Sequence, residues 1–337
     1  MSTDGDLPQS LPLFLTDSDV AKLSDWPDAI EAVRAAYGTG DDEGRTPGRI
    51  FAQSEREWLR IMPSVPGSGR LFGMKSIAGS FADGLRVSYL ISLFDKDTAD
   101  LVALVDGNRV TGLRTAATSA IGASTIVPKR PLVVGVIGSG FEARSHLNAL
   151  SHLVAFADVR VFSPTPSNRE AFARGFDGAF GVGVRAVDSA QQAAEGADLI
   201  LCAARSRDES PTLLSEWVGA NSAVVSIGST TPAQRELPAD LIGRAAVVVV
   251  DAYDEVVNGS GDMIAARAEG VDVDAVVITL NAALSGQSPI DPEQGIRIYK
   301  STGSGLQDIV VAEMLVDRAR AEGVGTPLPV GIVTTRK

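Results

Sequence analysis

Cysteine is nearly missing from this chain. Cys202 is the only one in 337 residues. A single thiol excludes an internal disulfide framework and fits a reducing cytosol. Histidine is almost as scarce, with His146 and His152 alone. Two histidines and one cysteine make an improbable ligand set for structural zinc. Long apolar runs are missing as well. The longest, such as Ala245–Val250, fall far short of the roughly 20 residues that span a bilayer. No basic run appears, and the net charge is −12. That balance argues against nucleic acid and against an anionic membrane as a partner. The opening residues, MSTDGDLPQS, lack the charged start and apolar core of a signal peptide. These absences predict a soluble, cytoplasmic protein.

What is present is ample core material. Hydrophobic residues make up 45% and charged residues 21%, the proportions of a globular protein. The length suggests two domains. One stretch organises the rest: Leu132 to Leu150, LVVGVIGSGFEARSHLNAL. A β-branched run leads into Gly138-Ser139-Gly140 and then Phe141-Glu142-Ala143, the pattern G-x-G-x-x-A. Gly138 permits a tight strand-to-helix turn. Gly140 lets the backbone approach a pyrophosphate. Ala143 lets the helix pack close to the strand. The helix N-terminus then offers free N–H donors and a positive dipole end. An ordinary glycine-rich βα turn is the competing reading, but the strand before and the helix after favour a dinucleotide seat.

The next strand, Asp158–Phe162, ends at Ser163, where such folds often place an acid that reads the ribose. No Asp or Glu stands there. Ser163, Thr165, Ser167 and Arg169 stand there instead. A carboxylate would repel a 2′-phosphate, whereas hydroxyls with an arginine accept one. The reading is NADP over NAD, with NAD not excluded.

In chain order, Met1–Gln9 reads as a loose tail. Phe14–Thr16 reads as a strand, with Asp17 or Ser18 capping a helix and more helix over Ile30–Tyr37. Short turn-bounded segments between Ile50 and Leu104 predict a β-sheet. Val110–Ile126 predicts a closely packed helix of small residues. Arg114 stands out in it as a cation that needs an anion, and a cofactor phosphate would supply one. Beyond the glycine turn, Gly181–Arg185, Asp198–Ala203, Ala223–Ile227 and Ala245–Asp251 alternate with helices. Near-continuous apolar strands of this kind predict a parallel sheet covered on both faces. Ligands of such sheets lie beyond the strand C-termini, where Gly138–Gly140, Ser163, Ala204-Arg205 and Gly228–Thr230 fall. Tyr299–Asp308 reads as a small-residue turn opening a helix. Ile309–Ala321 reads as an amphipathic helix packed away from the sheet. His146 reads as a helix-surface residue and Cys202 as core.

Together, Arg114-Thr115-Ala116-Ala117, Gly138-Ser139-Gly140-Phe141-Glu142, Arg235-Glu236-Leu237 and Ser301-Thr302-Gly303 resemble the ornithine cyclodeaminase/μ-crystallin family over about Leu15 to Ala321. The resemblance implies an α/β fold: a Rossmann-type doubly wound parallel sheet inserted in a second α+β domain. On that reading residues 1–117, with 308–337 returning to them, form the substrate-binding and dimerisation domain, and 118–307 bind NAD(P). It further implies a homodimer acting on a small imino or amino acid.

By motif, the resemblance gives Arg49 the substrate carboxylate and makes Lys75 the substrate lysine. Arg114 then contacts cofactor phosphate, and Phe141 and Glu142 lie at the pyrophosphate. An acid at Glu142 is unfavourable there unless it points away from the phosphates. Ile227 and Gly228 fall beside the nicotinamide. Ser301 belongs to the cofactor set through its motif. Thr230 departs from the cyclodeaminases, which carry at this position an Asp that works on the side amine. A threonine hydroxyl is no general base near neutral pH unaided. The expectation is therefore an NAD(P)H-dependent imine or ketimine reductase, or an amino-acid dehydrogenase. The alternatives are a cyclodeaminase-type lyase with recycled NAD and a non-catalytic μ-crystallin-like binding protein. Asp254 or Glu255 could supply the missing carboxylate. Without the family, Arg49 reads equally as a loop arginine and Lys75 as an edge-strand lysine.

Overall fold

In the computed structural model, residues 11–40, 44–204, 208, 210–329 and 331–335 are described. The expected tail Met1–Gln9 and Arg205 lie outside the described residues. The chain divides into two compact units: Met1–Thr115 with Ser304–Lys337, and Ala116–Gly303 between them in sequence.

The first unit begins with β1 (Leu13–Leu15), α1 (Asp17–Leu23) and α2 (Trp26–Tyr37). Thr16, rather than Asp17 or Ser18, caps α1. Its hydroxyl accepts from the Asp19 amide while the Asp19 carboxylate takes the Thr16 amide, a reciprocal capping box. An antiparallel run follows: β2 (Ile50–Gln53), β3 (Glu57–Ser64), β4 (Leu71–Ser80), β5 (Arg86–Asp95) and β6 (Leu101–Asp106). The small-residue helix α3 (Gly107–Ile126) then carries the chain into the second unit.

That unit opens with β7 (Leu132–Ile137), α4 (Phe141–Ser151), β8 (Phe156–Phe162), α5 (Pro166–Gly175), β9 (Val184–Ala186), α6 (Ala190–Ala194) and β10 (Leu199–Cys202). It continues through β11 (Ala223–Ser226), α7 (Ala239–Gly243), β12 (Ala245–Val250), α8 (Tyr253–Val257), α9 (Gly261–Ala268), β13 (Val277–Thr279), α10 (Leu280–Ser285) and β14 (Ile296–Lys300). Its eight strands pair in the order β13-β12-β14-β11-β10-β7-β8-β9, all in parallel. The strand order reverses between β7 and β10. That switch point is where open α/β sheets bind ligands, outside the strand C-termini.

Two strands were not anticipated. β13 lies at the sheet edge and β14 in its middle, between β12 and β11. β14 reads IRIYK, and its charged residues disguise a buried strand. Arg297 is 1% exposed because its guanidinium donates to the carbonyl oxygens of Ile126 and Asn221 at 2.7 and 2.9 Å. Charges survive burial only with such partners.

The chain then returns to the first unit as α11 (Gly305–Glu322) and β15 (Thr326–Pro327). This completes a seven-stranded mixed sheet, β15-β1-β6-β5-β4-β3-β2. α11 belongs to the unit that does not contain the parallel sheet, which agrees with the expected placement away from that sheet. It lies on β3, β4 and β5 and beside α1 and α2, because nearly all its residues from Gln307 to Val316 are apolar or internally paired. Register puts Met62, Lys75 and Ile91 side by side on one face of the mixed sheet. Ile50, Leu59, Met74 and Leu90 lie on the other face and are exposed in the single chain. Among the described residues no helix is long and apolar enough to cross a membrane.

Candidate active site

In the second unit the glycine turn follows β7 directly. Gly138 has φ +116°, and a Cβ there would meet the Ala203 carbonyl oxygen at 2.6 Å. Both backbone conformation and the neighbouring strand end demand glycine. Gly140 is different. A Cβ there meets nothing within 4 Å, and its backbone is ordinary extended chain with φ −78°. The packing of the described residues therefore does not require glycine at 140, and the open space over its backbone admits the close approach of a ligand. Gly140 is the N-cap of α4 and offers no side-chain cap, so the first-turn amides are left as donors for an anion. Phe141 is 60% exposed at the same turn. Glu142 turns its carboxylate toward His146, 3.6 Å from Nδ1. The residues present fit a dinucleotide pyrophosphate.

His146 is buried, not on the surface. Its Nδ1 pairs with the Glu142 carbonyl oxygen at 2.7 Å and its Nε2 with Ser119 Oγ at 3.1 Å, which ties α4 to α3.

At the end of β8, Ser163 is buried and accepts from the Ser139 hydroxyl at 2.8 Å. Thr165 and Ser167 are exposed at the start of α5. Arg169 donates to the Ser163 carbonyl oxygen at 3.2 Å and to Asp188 Oδ1 at 2.7 Å. The sheet thus brings up an acid that the sequence did not place at this strand end.

The ends of β10 and β11 are pinned by Glu236, which is wholly buried. Its Oε1 accepts from the Ala204 amide at 3.1 Å. Its Oε2 accepts from the Gly228 amide at 2.8 Å and from Ser226 Oγ at 2.7 Å. Burial pushes its carboxyl up to about 7, with Lys300 and the Ser226 bond opposing. Lys300 Nζ donates to Ser226 Oγ and to the Ser229 carbonyl oxygen, and it pairs with Asp262 Oδ2 at 3.0 Å. Ile227 is buried in this loop, and Thr230 is half-buried with its amide toward Gln234 Oε1. Asp251, at the end of β12, accepts from Ser301 Oγ at 2.7 Å and from the amides of Thr302 and Gly303. Asp254 is exposed and Glu255 half-buried on α8.

The first unit gathers the cations. Lys75 is on an interior strand and 1% exposed, which removes the edge-strand reading. Its Nζ lies 2.8 and 2.7 Å from the two oxygens of Asp308 and 3.4 Å from Thr111 Oγ1. Arg114 Nε donates to Asp308 Oδ1 at 3.0 Å, and its NH1 to Gln307 Oε1 at 2.7 Å. The anion facing Arg114 is therefore a carboxylate of the chain, so its charge alone does not call for a phosphate. Arg49, half-buried just before β2, is near enough to act on the charge of Lys75. Burial drives the Lys75 amine down to about 7. Asp308 opposes this, while Arg114 and Arg49 add to it.

Asp308, Glu236, Lys300, Asp262 and Asp251 were not singled out as site residues. Glu236 shows in the sequence only as part of the Arg235-Glu236-Leu237 motif, and the others stand among apolar or small residues that give no sign of their partners.

The sequence profile of the ornithine cyclodeaminase/mu-crystallin family matches residues 12–323. This chain belongs to that family. Ketimine reductase mu-crystallin from Mus musculus is 31% identical over 297 residues, covering 86% of this chain and 90% of its own length. Among solved structures, Thermococcus litoralis Δ1-pyrroline-2-carboxylate reductase in complex with NADH and L-proline superposes with a TM-score of 0.85 at 27% identity, covering 94% of this chain and all of that one. The iminosuccinate reductase of Paracoccus denitrificans in complex with NAD+ gives 0.84 at 25% identity, covering 95% of this chain and all of that one. The family fold is the one described above, a parallel Rossmann-type sheet whose segment lies, in sequence, between the two parts of a mixed α+β unit.

Proposed function

We propose that this protein is an NAD(P)H-dependent oxidoreductase that reduces the C=N bond of a small imino acid or ketimine, or runs the reverse oxidation of the amino acid. The observation that carries the reading is the glycine turn: Gly138 is required by the fold, whereas the described residues leave the space around Gly140 open, where a pyrophosphate can approach the backbone. Relatives bearing the same fold are named as reductases of imino acids, and two of them hold NADH or NAD+.

The roles are those that the family resemblance implies, and the chemistry of each residue type suits its role. Arg49 binds the substrate carboxylate through charge-assisted hydrogen bonds. Lys75, as an ammonium, gives a proton to the imine nitrogen. The reduced nicotinamide, when bound, supplies a hydride to the imine carbon. The α4 N-terminus with Gly138, Gly140, Phe141 and Glu142 receives the pyrophosphate. Arg114 and Ser301 join that cofactor set. Ser163, Thr165, Ser167 and Arg169 favour NADP, with NAD accepted. Ala204, Ile227, Gly228 and Thr230 line the nicotinamide end. Thr230 offers a hydroxyl where ornithine cyclisation needs a carboxylate, so lyase chemistry is disfavoured.

On this reading residues 1–117 and 308–337 bind substrate and dimerise, and 118–307 bind the dinucleotide. The apolar face of Ile50, Leu59, Met74 and Leu90 supports a homodimer, because an antiparallel sheet covered on one side only leaves that face in water. The single buried thiol, Cys202, suits the cytosol.

The test is NADPH and NADH oxidation with cyclic imines, and with pyruvate, glyoxylate or oxaloacetate plus ammonia or methylamine. Oxidation with one of these supports the reading. Ammonia release from ornithine without net cofactor change supports the lyase instead.

A further inference from the structure

Among the described residues Asp308 is the one anion of the charged groups that act on Lys75, and it is 0% exposed. The others are Arg114 on α3 and Arg49 before β2, both cations. A lysine removed from water loses its proton readily, because burial disfavours the charged form. Two guanidinium groups push the same way. Against all three stands one carboxylate with both oxygens within 2.8 Å of Nζ.

That carboxylate is itself held in place. Arg114 takes Oδ1 from a second direction and is braced by Gln307, whose amide reaches Tyr37 Oη at 2.8 Å. The first turn of α11 therefore aims its acid at the middle of the mixed sheet. An acid this close to a helix N-terminus is ordinarily explained by the helix dipole. Complete burial against a lysine is not.

We propose that Asp308 is a positioning residue that keeps Lys75 in its ammonium form near neutral pH and fixes its direction. This rests on the reading of Lys75 as proton donor. The sign follows: Lys75 donates below its midpoint, so activity falls as pH rises through that midpoint, and removal of Asp308 moves the loss to lower pH.

The chain holds only six lysines, so labelling the lysine side chains with 13C resolves them by NMR, and K75M assigns the one in question. The expected midpoint of Lys75 in the wild-type protein is about 7. In D308N the midpoint falls by about 1–3 pH units, and in D308E most of the shift is restored. The alkaline limb of the kcat profile moves with it. Should D308N not fold, R114Q carries the test with the opposite sign: losing a like charge and a competitor for Oδ1 raises the midpoint. An unmoved midpoint in D308N, or none raised in R114Q, overturns the proposal. The titration needs no substrate. A shifted midpoint in a protein that reduces no imine would sink the proton-donor role of Lys75 and leave the coupling to Asp308 standing.

Discussion

Glu236 Oε2 accepts the backbone N–H of Gly228 at 2.8 Å, and this bond fixes the loop beyond β11 to a charge buried inside the sheet. The other oxygen holds Ala204 beyond β10. Two neighbouring strand ends, that of β10 beside the switch point and that of β11, are thus locked to one side chain. Its replacement by glutamine puts an NH2 where a backbone donor now points.

E236Q is therefore expected to lose stability by about 1–3 kcal/mol for each buried donor left unmet. Dinucleotide affinity should fall with it, since the loop carries Ile227 and Gly228. Urea denaturation and a binding titration of the same variant check this. Unchanged values in both would mean the loop holds its shape without the carboxylate.

The two glycines of the turn separate a nucleotide seat from an ordinary bend. G138A should cost at least about 1–3 kcal/mol, the range for a strained backbone position, before the clash with Ala203 is counted. G140A should leave stability within about 0.5 kcal/mol, as a surface change does. Yet it should weaken dinucleotide binding tenfold or more. Equal effects of G140A and wild type on binding would return the turn to its bland reading.

Much of this turn was legible in the sequence because β7 is a continuous apolar run and glycines punctuate it. The same cues found α3, β8, β10, β11 and β12 to within a few residues. β14 was invisible for a physical reason: Arg297 and Lys300 look like surface residues until tertiary contacts supply the carbonyl groups and carboxylate that neutralise them. Asp308 was passed over likewise, since nothing local distinguishes an acid in a first helical turn from one that a distant lysine needs. The partner of Arg114 and the burial of His146 were missed on the same ground, because pairing across the fold leaves no periodic trace.

Arg169 tests cofactor choice. Already paired with Asp188, it must share its charge with any 2′-phosphate. R169A should therefore weaken NADPH binding severalfold more than NADH binding. Equal loss for both would move the discrimination elsewhere.

The bare sheet face predicts an oligomer. Light scattering should give a dimer, and L90D or L59D should give a folded monomer, because a carboxylate buried at an apolar interface lacks a partner. A monomeric wild type at micromolar concentration would refute the assignment of this face.

The most direct measurement is the absorbance of NADPH at 340 nm with purified protein and a cyclic α-imino acid. The account predicts substrate-dependent loss of the signal, formation of the amino acid in equal amount, and collapse of the rate in K75M. Tight NADPH binding with no oxidation of the nucleotide by any imine, cyclic or formed from a keto acid and an amine, would contradict it.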